Sequence, residues 1–156
     1  MSDNAQHMAV TKTISVVTQE GSEVLDVFGA SMIVRSAGGK DQPFVAEHVI
    51  PPEYMVPPHL HESDDEYFFV LDGTLTFWSE AGEQELAPGA FVSLPRGVRH
   101  GFHNASEAVV RFLIIACPGI QATELFRHFD RAGRAAPGGL TPPDIVAICA
   151  QHGVRM

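Results

Sequence analysis

Two histidines one residue apart, His59 and His61, stand in the run Pro58-His59-Leu60-His61-Glu62-Ser63-Asp64-Asp65-Glu66. Side chains on a β-strand alternate between faces, so these two imidazoles point the same way, as two ligands of one metal must. Glu66 follows within reach of a turn or of the next strand. A third imidazole, His100, comes just after the turn-forming Pro95-Arg96-Gly97. Three neutral imidazoles and one carboxylate suit a single divalent ion of iron, manganese, nickel, cobalt, copper or zinc. The acidic residues Glu62, Asp64 and Asp65 read as a solvated loop beside the ligands, with Glu62 the alternative to Glu66 if the strand starts earlier. His103 has the opposite parity to His100. His128 and His152 fall on helical patterns, and His48 falls on a strand whose buried face the pattern leaves open. Nothing resembles a nucleophile: there is no Gly-x-Ser-x-Gly, and neither cysteine has a partner histidine nearby.

Those side chains need a scaffold of short strands. Eleven prolines and fourteen glycines in 156 residues punctuate the chain too often for a few long helices. The strand candidates are Thr13 to Val17, Val24 to Val34 (bent or split at Gly29), Phe44 to Ile50, Leu60 to Leu71, Thr74 to Ser79, Glu83 to Leu86, Ala90 to Leu94, Gly101 to His103 and Val109 to Cys117. Ala37 to Pro43 reads as a turn with Gly38-Gly39 at its tip. Pro51-Pro52 and Pro57-Pro58 mark a loop or a sheet edge, because proline cannot donate to a ladder. Asp72-Gly73 between two apolar runs predicts a hairpin. After Pro118 the period changes: Leu125, Phe126 and Phe129 share a helical face. Thr141-Pro142-Pro143-Asp144 reads as a helix cap with proline in the first turn, and Gly153 as a helix stop. The two short helices are expected to close one side of a barrel.

The spacings match in full those of one family. The chain resembles the cupin superfamily, whose first motif reads here as His59-x-His61, four residues, Glu66, six residues, Gly73. The second reads as Gly89, five residues, Pro95-x-Gly97, two residues, His100, three residues, Asn104. One departure lies upstream, where Glu53 stands in place of a common glycine. The resemblance implies an all-β double-stranded β-helix, a jelly-roll barrel, with a short C-terminal helical extension and the metal inside. The implied organisation is a flexible tail over 1–12, the barrel over 13–118 and the extension over 119–156. Parity adds a pocket. If Glu66 points inward, so do Phe68 and Val70; if His100 does, so do Val98 and Phe102. Such a mostly apolar pocket favours an uncharged or aromatic small molecule, though the same residues serve equally to fill a small barrel.

Within the superfamily the chain looks like the quercetinase-type cupins. That likeness implies a metal-dependent dioxygenase acting on a flavonol-like or other aromatic or enolic molecule, with dioxygen as co-substrate. Glu66 would be both ligand and base, and would have to leave the metal to be a useful base. The alternatives are a non-oxidative metal-dependent cyclase or isomerase, as in the cupin polyketide cyclases, and a metal-dependent binding protein without turnover. The resemblance also implies a homodimer, with Thr13 to Val17 and Val24 to Val34 as the candidate contact. A net charge of −9 repels phosphate backbones and anionic lipid heads, so neither nucleic acid nor membrane is an expected partner. Met1 to Val10 is polar, without the apolar core of a signal peptide, and Cys117 and Cys149 read as unpaired thiols; a cytoplasmic location is expected.

Overall fold

A computed structural model of the chain describes residues 14–40 and 42–156. The chain runs through ten strands, two helices and a last short strand: β1 (Glu23–Val27), β2 (Ala30–Gly39), β3 (Gln42–Ile50), β4 (Met55–His61), β5 (Asp65–Asp72), β6 (Leu75–Ser79), β7 (Gly82–Leu86), β8 (Phe91–Leu94), β9 (His100–His103), β10 (Val110–Cys117), α1 (Ala122–Ala135), α2 (Pro142–Gln151) and β11 (Val154–Arg155). They form two antiparallel sheets. One has the order β1-β2-β3-β10-β5-β8; the other has the order β11-β4-β9-β6-β7. This is a double-stranded β-helix with two short helices, as the motifs imply.

Alternation, interrupted in β3 by the buried Glu47, makes the six-stranded sheet two-faced. Phe44, Ala46, His48 and Ile50 of β3 are buried, as are Val110, Phe112, Ile114 and Ala116 of β10 and Glu66, Phe68 and Val70 of β5. The register sets Phe112 opposite both His48 and Val70, and Ala116 opposite Glu66, so a small side chain stands beside the carboxylate. Rings of Phe68, Phe102 and Phe112 meet edge to face with centroids 5.1–5.5 Å apart and close the middle of the barrel.

Several sequence expectations give way to tertiary pairing. Thr13 lies outside the described residues, and Ile14 to Val17 form no strand. Val24 to Val34 takes the split form of its expectation, dividing into β1 and β2 at a Phe28-Gly29 turn, where both residues have positive φ. The expected turn at Ala37 to Pro43 is shorter, because β2 continues through Gly39. Leu60 to Leu71 is not one strand: β4 ends at His61 and β5 begins at Asp65, in the other sheet. Nor does Asp72-Gly73 close a hairpin. β5 and β6 belong to different sheets, and the turn is a crossover between them. The hairpin pairs β6 with β7 instead. A local turn signal reports that the chain reverses; which strand it then pairs with depends on distant contacts.

Gly73 shows why that crossover needs glycine. Its φ is +75°, and a Cβ there would lie 2.9 Å from the Val109 carbonyl oxygen and 2.9 Å from a Val110 methyl. Gly73→Ala is expected to cost on the order of 1–3 kcal/mol of folding stability, read as a lowered urea midpoint with unchanged slope.

Candidate metal centre

The five-stranded sheet supplies the imidazoles. His59 and His61 end β4, and His100 opens β9, directly opposite His59 in the ladder. Pro57-Pro58 lie within β4 at a register shift between Val56 and His59, where the missing donors are tolerated. Gly101 lets the two strands close up there, since a Cβ would come within 2.9 Å of the Val56 carbonyl oxygen. Glu66 comes from β5 in the facing sheet. The four side chains converge, each offering one ligand atom within 4.8 Å of the others.

The connections around them hold the aim. Gly97 N–H donates to the His61 carbonyl at 2.8 Å, tying the turn before β9 to the end of β4. In the same turn Arg96 grips Asp65 through its guanidinium, at 2.9 and 3.1 Å, and through its backbone N–H at 2.9 Å. This planar two-point contact fixes orientation as well as distance, and it anchors the residue next to Glu66. Asn104, fully buried, donates from its side chain to the Ile50 and Ala108 carbonyls and accepts from Ser106. The motif asparagine is therefore a loop clasp beyond β9. Glu53, where the family's glycine is common, has φ +64°, a left-handed conformation that glycine adopts at less cost.

Hydrogen bonding prepares the imidazoles as ligands. His59 Nδ1 and His100 Nδ1 each lie 3.0 Å from a carbonyl oxygen, those of Pro57 and Val98. A carbonyl only accepts, so both Nδ1 atoms carry the proton and both Nε2 atoms present lone pairs. His100 Nε2 faces Glu66 Oε2 at 3.2 Å, and His61 Nε2 lies 3.5 Å from the same oxygen. His61 Nε2 is buried and makes no hydrogen bond among the described residues. Acceptors turned toward one another in a buried space fit a cation between them, and this donor set fits a divalent transition metal.

Ionisation follows the same geometry. In the metal-free chain burial opposes the charge on Glu66, but attraction to His61 and a hydrogen bond from His100 Nε2, each of which requires the ring to carry its second proton, outweigh it and hold the carboxyl at about 2. Burial, then repulsion from His100 and His61, pushes His59 down to about 4. Both groups are thus in their ligating forms near neutrality.

The acidic neighbours are not a merely solvated loop. Asp64 is buried and accepts from Gly119 N–H at 2.9 Å; Asp65 pairs with Arg96. Glu62 pairs with Arg155 of β11 and lies outside the cluster, so Glu66 is the carboxylate that meets the histidines.

A cavity of about 540 Å³ opens from this cluster, with His59, His61 and Glu66 in its wall. Of the four residues placed in a pocket by parity, Phe102 lines it. Phe68 and Val70 point inward as expected, but they are packed in the barrel centre and do not reach the cavity. Val98 is a correction: it is 47% exposed and outside the cavity. Residues 95–98 form a turn and β9 starts at His100, so strand parity does not extend back to it. Two further contributors lie outside the parity argument, the first of them the helices that the sequence pattern predicts to close one side of the barrel. The C-terminal helices form one side of the cavity through Leu125, Phe129, Ile145 and Cys149. His48 also lines it, its face decided by the register of β3 against β10. The apolar stripes of α1 and α2 were the available signal for the first.

Residues 46–116 match the cupin domain family. Germin-like protein 1 of Brassica napus is 36% identical over 78 residues, covering 45% of this chain and 38% of that protein. Quercetin 2,3-dioxygenase of Bacillus subtilis is 31% identical over 62 residues, covering 40% of this chain and 18% of that protein. The chain thus spans well under half the length of these curated relatives. The solved structure of the polyketide cyclase RemF from Streptomyces resistomycificus superposes with a TM-score of 0.56 at 26% identity, covering 67% of this chain and 79% of that one. Over residues 46–116 the chain matches the cupin domain, and it resembles quercetinase-type cupins. Among the described residues no helix is long and apolar enough to cross a membrane.

Two outcomes test the centre. Purified, untagged protein is expected to carry about one equivalent of a divalent transition metal by mass spectrometry, lost in the His59→Ala, His61→Ala double variant; equal metal in both proteins refutes the four-ligand set. The second outcome concerns pH. Burial, opposed by Glu66, lowers His48 to about 3, and His59 is lowered to about 4. Between these values and the ordinary 6.5 the unfolded chain binds protons that the folded one excludes, so stability rises with pH across that window and falls on acidification. Glu66, also lowered, adds a loss below 4.5. Metal-free protein should lose stability from pH 6.5 downward in urea titrations, by up to ~1.4 kcal/mol per pH unit for each histidine.

Proposed function

We propose that this protein is a metal-dependent dioxygenase of an uncharged aromatic or enolic small molecule of the flavonol type. The observation that carries the reading is a cluster of three imidazoles and a carboxylate beside an apolar cavity of about 540 Å³, with His59, His61 and Glu66 in the cavity wall. That volume suits a molecule of two or three rings. A redox-active divalent ion held by His59, His61, Glu66 and His100 would supply the electron exchange with dioxygen that organic side chains do not provide.

The chain's own residues do the rest. Pro57 and Val98 carbonyls keep His59 and His100 in one tautomer and one orientation. Glu66 is the residue for the substrate's hydroxyl proton. Its low proton affinity is a consequence of its contacts with His61 and His100, so it becomes a useful base only when a substrate displaces them. The helices α1 and α2 exclude water from one side of the reaction space. Thr141 and Asp144 form a capping box that starts α2 at the cavity rim. Among the described residues lining the cavity there is no lysine or arginine, which favours an uncharged substrate over a phosphorylated one.

The second reading, a non-oxidative cyclase or isomerase, draws on the likeness to the polyketide cyclase, which extends over 79% of that chain. Oxygen consumption separates the two. With quercetin as probe and protein loaded in turn with iron, manganese, nickel, cobalt or copper, the dioxygenase reading expects uptake of dioxygen with at least one metal. Glu66→Gln should lower it on the order of 10²-fold or more. Product formed without oxygen uptake selects the cyclase or isomerase. Quercetin bound and recovered unchanged with every metal selects a binding protein and refutes turnover.

A further inference from the structure

His48 is a polar side chain in an apolar setting. It is 2% exposed, and neither ring nitrogen meets a hydrogen-bond partner among the described residues. Its ring is wedged by Tyr54, Phe102 and Phe112, with centroids 5.5, 6.0 and 5.4 Å away. It also lines the cavity that holds His59, His61 and Glu66. A buried polar group without a partner is costly to keep, and an apolar residue of like size would pack there more cheaply.

The other polar groups of the wall are accounted for. Tyr54 Oη donates to the Val27 carbonyl at 3.0 Å, and Glu53 is exposed at the rim. His59, His61 and Glu66 belong to the metal cluster, and Cys149 is a weak donor. His48 alone has a donor and an acceptor without partners among the described residues; both nitrogens are buried behind the cavity surface, so a ligand hydroxyl reaches one only when a neighbouring ring gives way.

We propose that His48 is the second polar anchor of this cavity, its imidazole hydrogen-bonding a hydroxyl of an uncharged aromatic ligand whose other oxygens sit at the four-residue cluster. An imidazole with one N–H and one lone pair is complementary to a hydroxyl, which likewise donates and accepts. Burial keeps the ring uncharged, pushed down to about 3, so an anionic group gains no ion pair from it. The inference rests on reading the cavity as a site for an uncharged aromatic molecule, and it adds a requirement: a hydroxyl away from the metal-binding oxygens. A site built around such a hydrogen bond also rejects analogues lacking the hydroxyl.

The test compares two probes by equilibrium dialysis without oxygen, on metal-loaded protein: 3-hydroxyflavone, and quercetin, which adds ring hydroxyls. Wild type is expected to prefer quercetin by about tenfold. His48→Leu should bind 3-hydroxyflavone as wild type does and reduce the preference to within about twofold. His48→Gln, which keeps a donor and an acceptor, should retain part of it. Metal-free His48→Leu should melt no lower than wild type, because it removes an unpaired polar group; a lower melting temperature would give His48 a folding role and overturn the proposal. So would a preference unchanged in His48→Leu, no preference in wild type, or no binding of either probe. Oxygen uptake is a separate readout. Hydroxyl preference through His48 without oxygen uptake keeps this inference and removes the oxidative reading; uptake without the preference does the reverse.

Discussion

A carboxylate taken out of water is the constraint around which this chain is organised. Glu66 is 5% exposed at the inner face of one sheet, and an ionised carboxyl is not tolerated there without compensation. It meets three imidazoles from the opposite sheet, whose nitrogens converge on it, and a cation held among the four side chains would supply the compensation. Much else in the barrel follows from that meeting. The register shift at Pro57-Pro58 and the close approach at Gly101 set β4 against β9 within one sheet, and the small Ala116 leaves room beside Glu66 in the other. The Arg96–Asp65 contact and the hydrogen bond from Gly97 to His61 then pin the turn that delivers His100.

Three acceptors turned inward would be poor packing for its own sake. Among the described residues His61 keeps a buried nitrogen without a hydrogen bond, and His59 and His100 spend their protons on backbone carbonyls away from the cluster. The barrel centre, by contrast, is a set of edge-to-face phenyl rings, with His48 the unpartnered polar side chain at its border. Apolar packing fills that aromatic centre, while the unpaired polar groups lie toward the cavity. Such a division is what a binding site looks like in energetic terms.

The C-terminal segment links fold to site. The apolar faces of α1 and α2 cover one side of the cavity, and β11 pairs Val154 with His61. The segment therefore buries its own apolar surface and shapes the space beside the cluster. A barrel without it would expose the cavity to water and present a different outline to a ligand.

The ligand set was legible in the sequence because it depends on local facts. Alternation puts His59 and His61 on one face, a turn of Pro-x-Gly precedes His100, and the chemistry of imidazole and carboxylate is the same in any setting. The general class of fold was legible for a similar reason, since glycine and proline punctuate at close intervals. The tertiary structure decided what depended on distant partners. Asp72-Gly73 turns the chain as its residues dictate, yet it joins two sheets because β5 finds β10 and β8 while β6 finds β7 and β9. Val98 faces solvent because the strand starts two residues later, and Phe68 and Val70 fill the centre because the helices place the cavity elsewhere. His48 looked like any strand histidine until the register of β3 against β10 turned it inward. Residue type and spacing act over one turn or one strand, so they determine which groups can do chemistry. Which side of the sheet those groups share, and what space lies before them, is set by long-range pairing, whose free energy resides in no single segment.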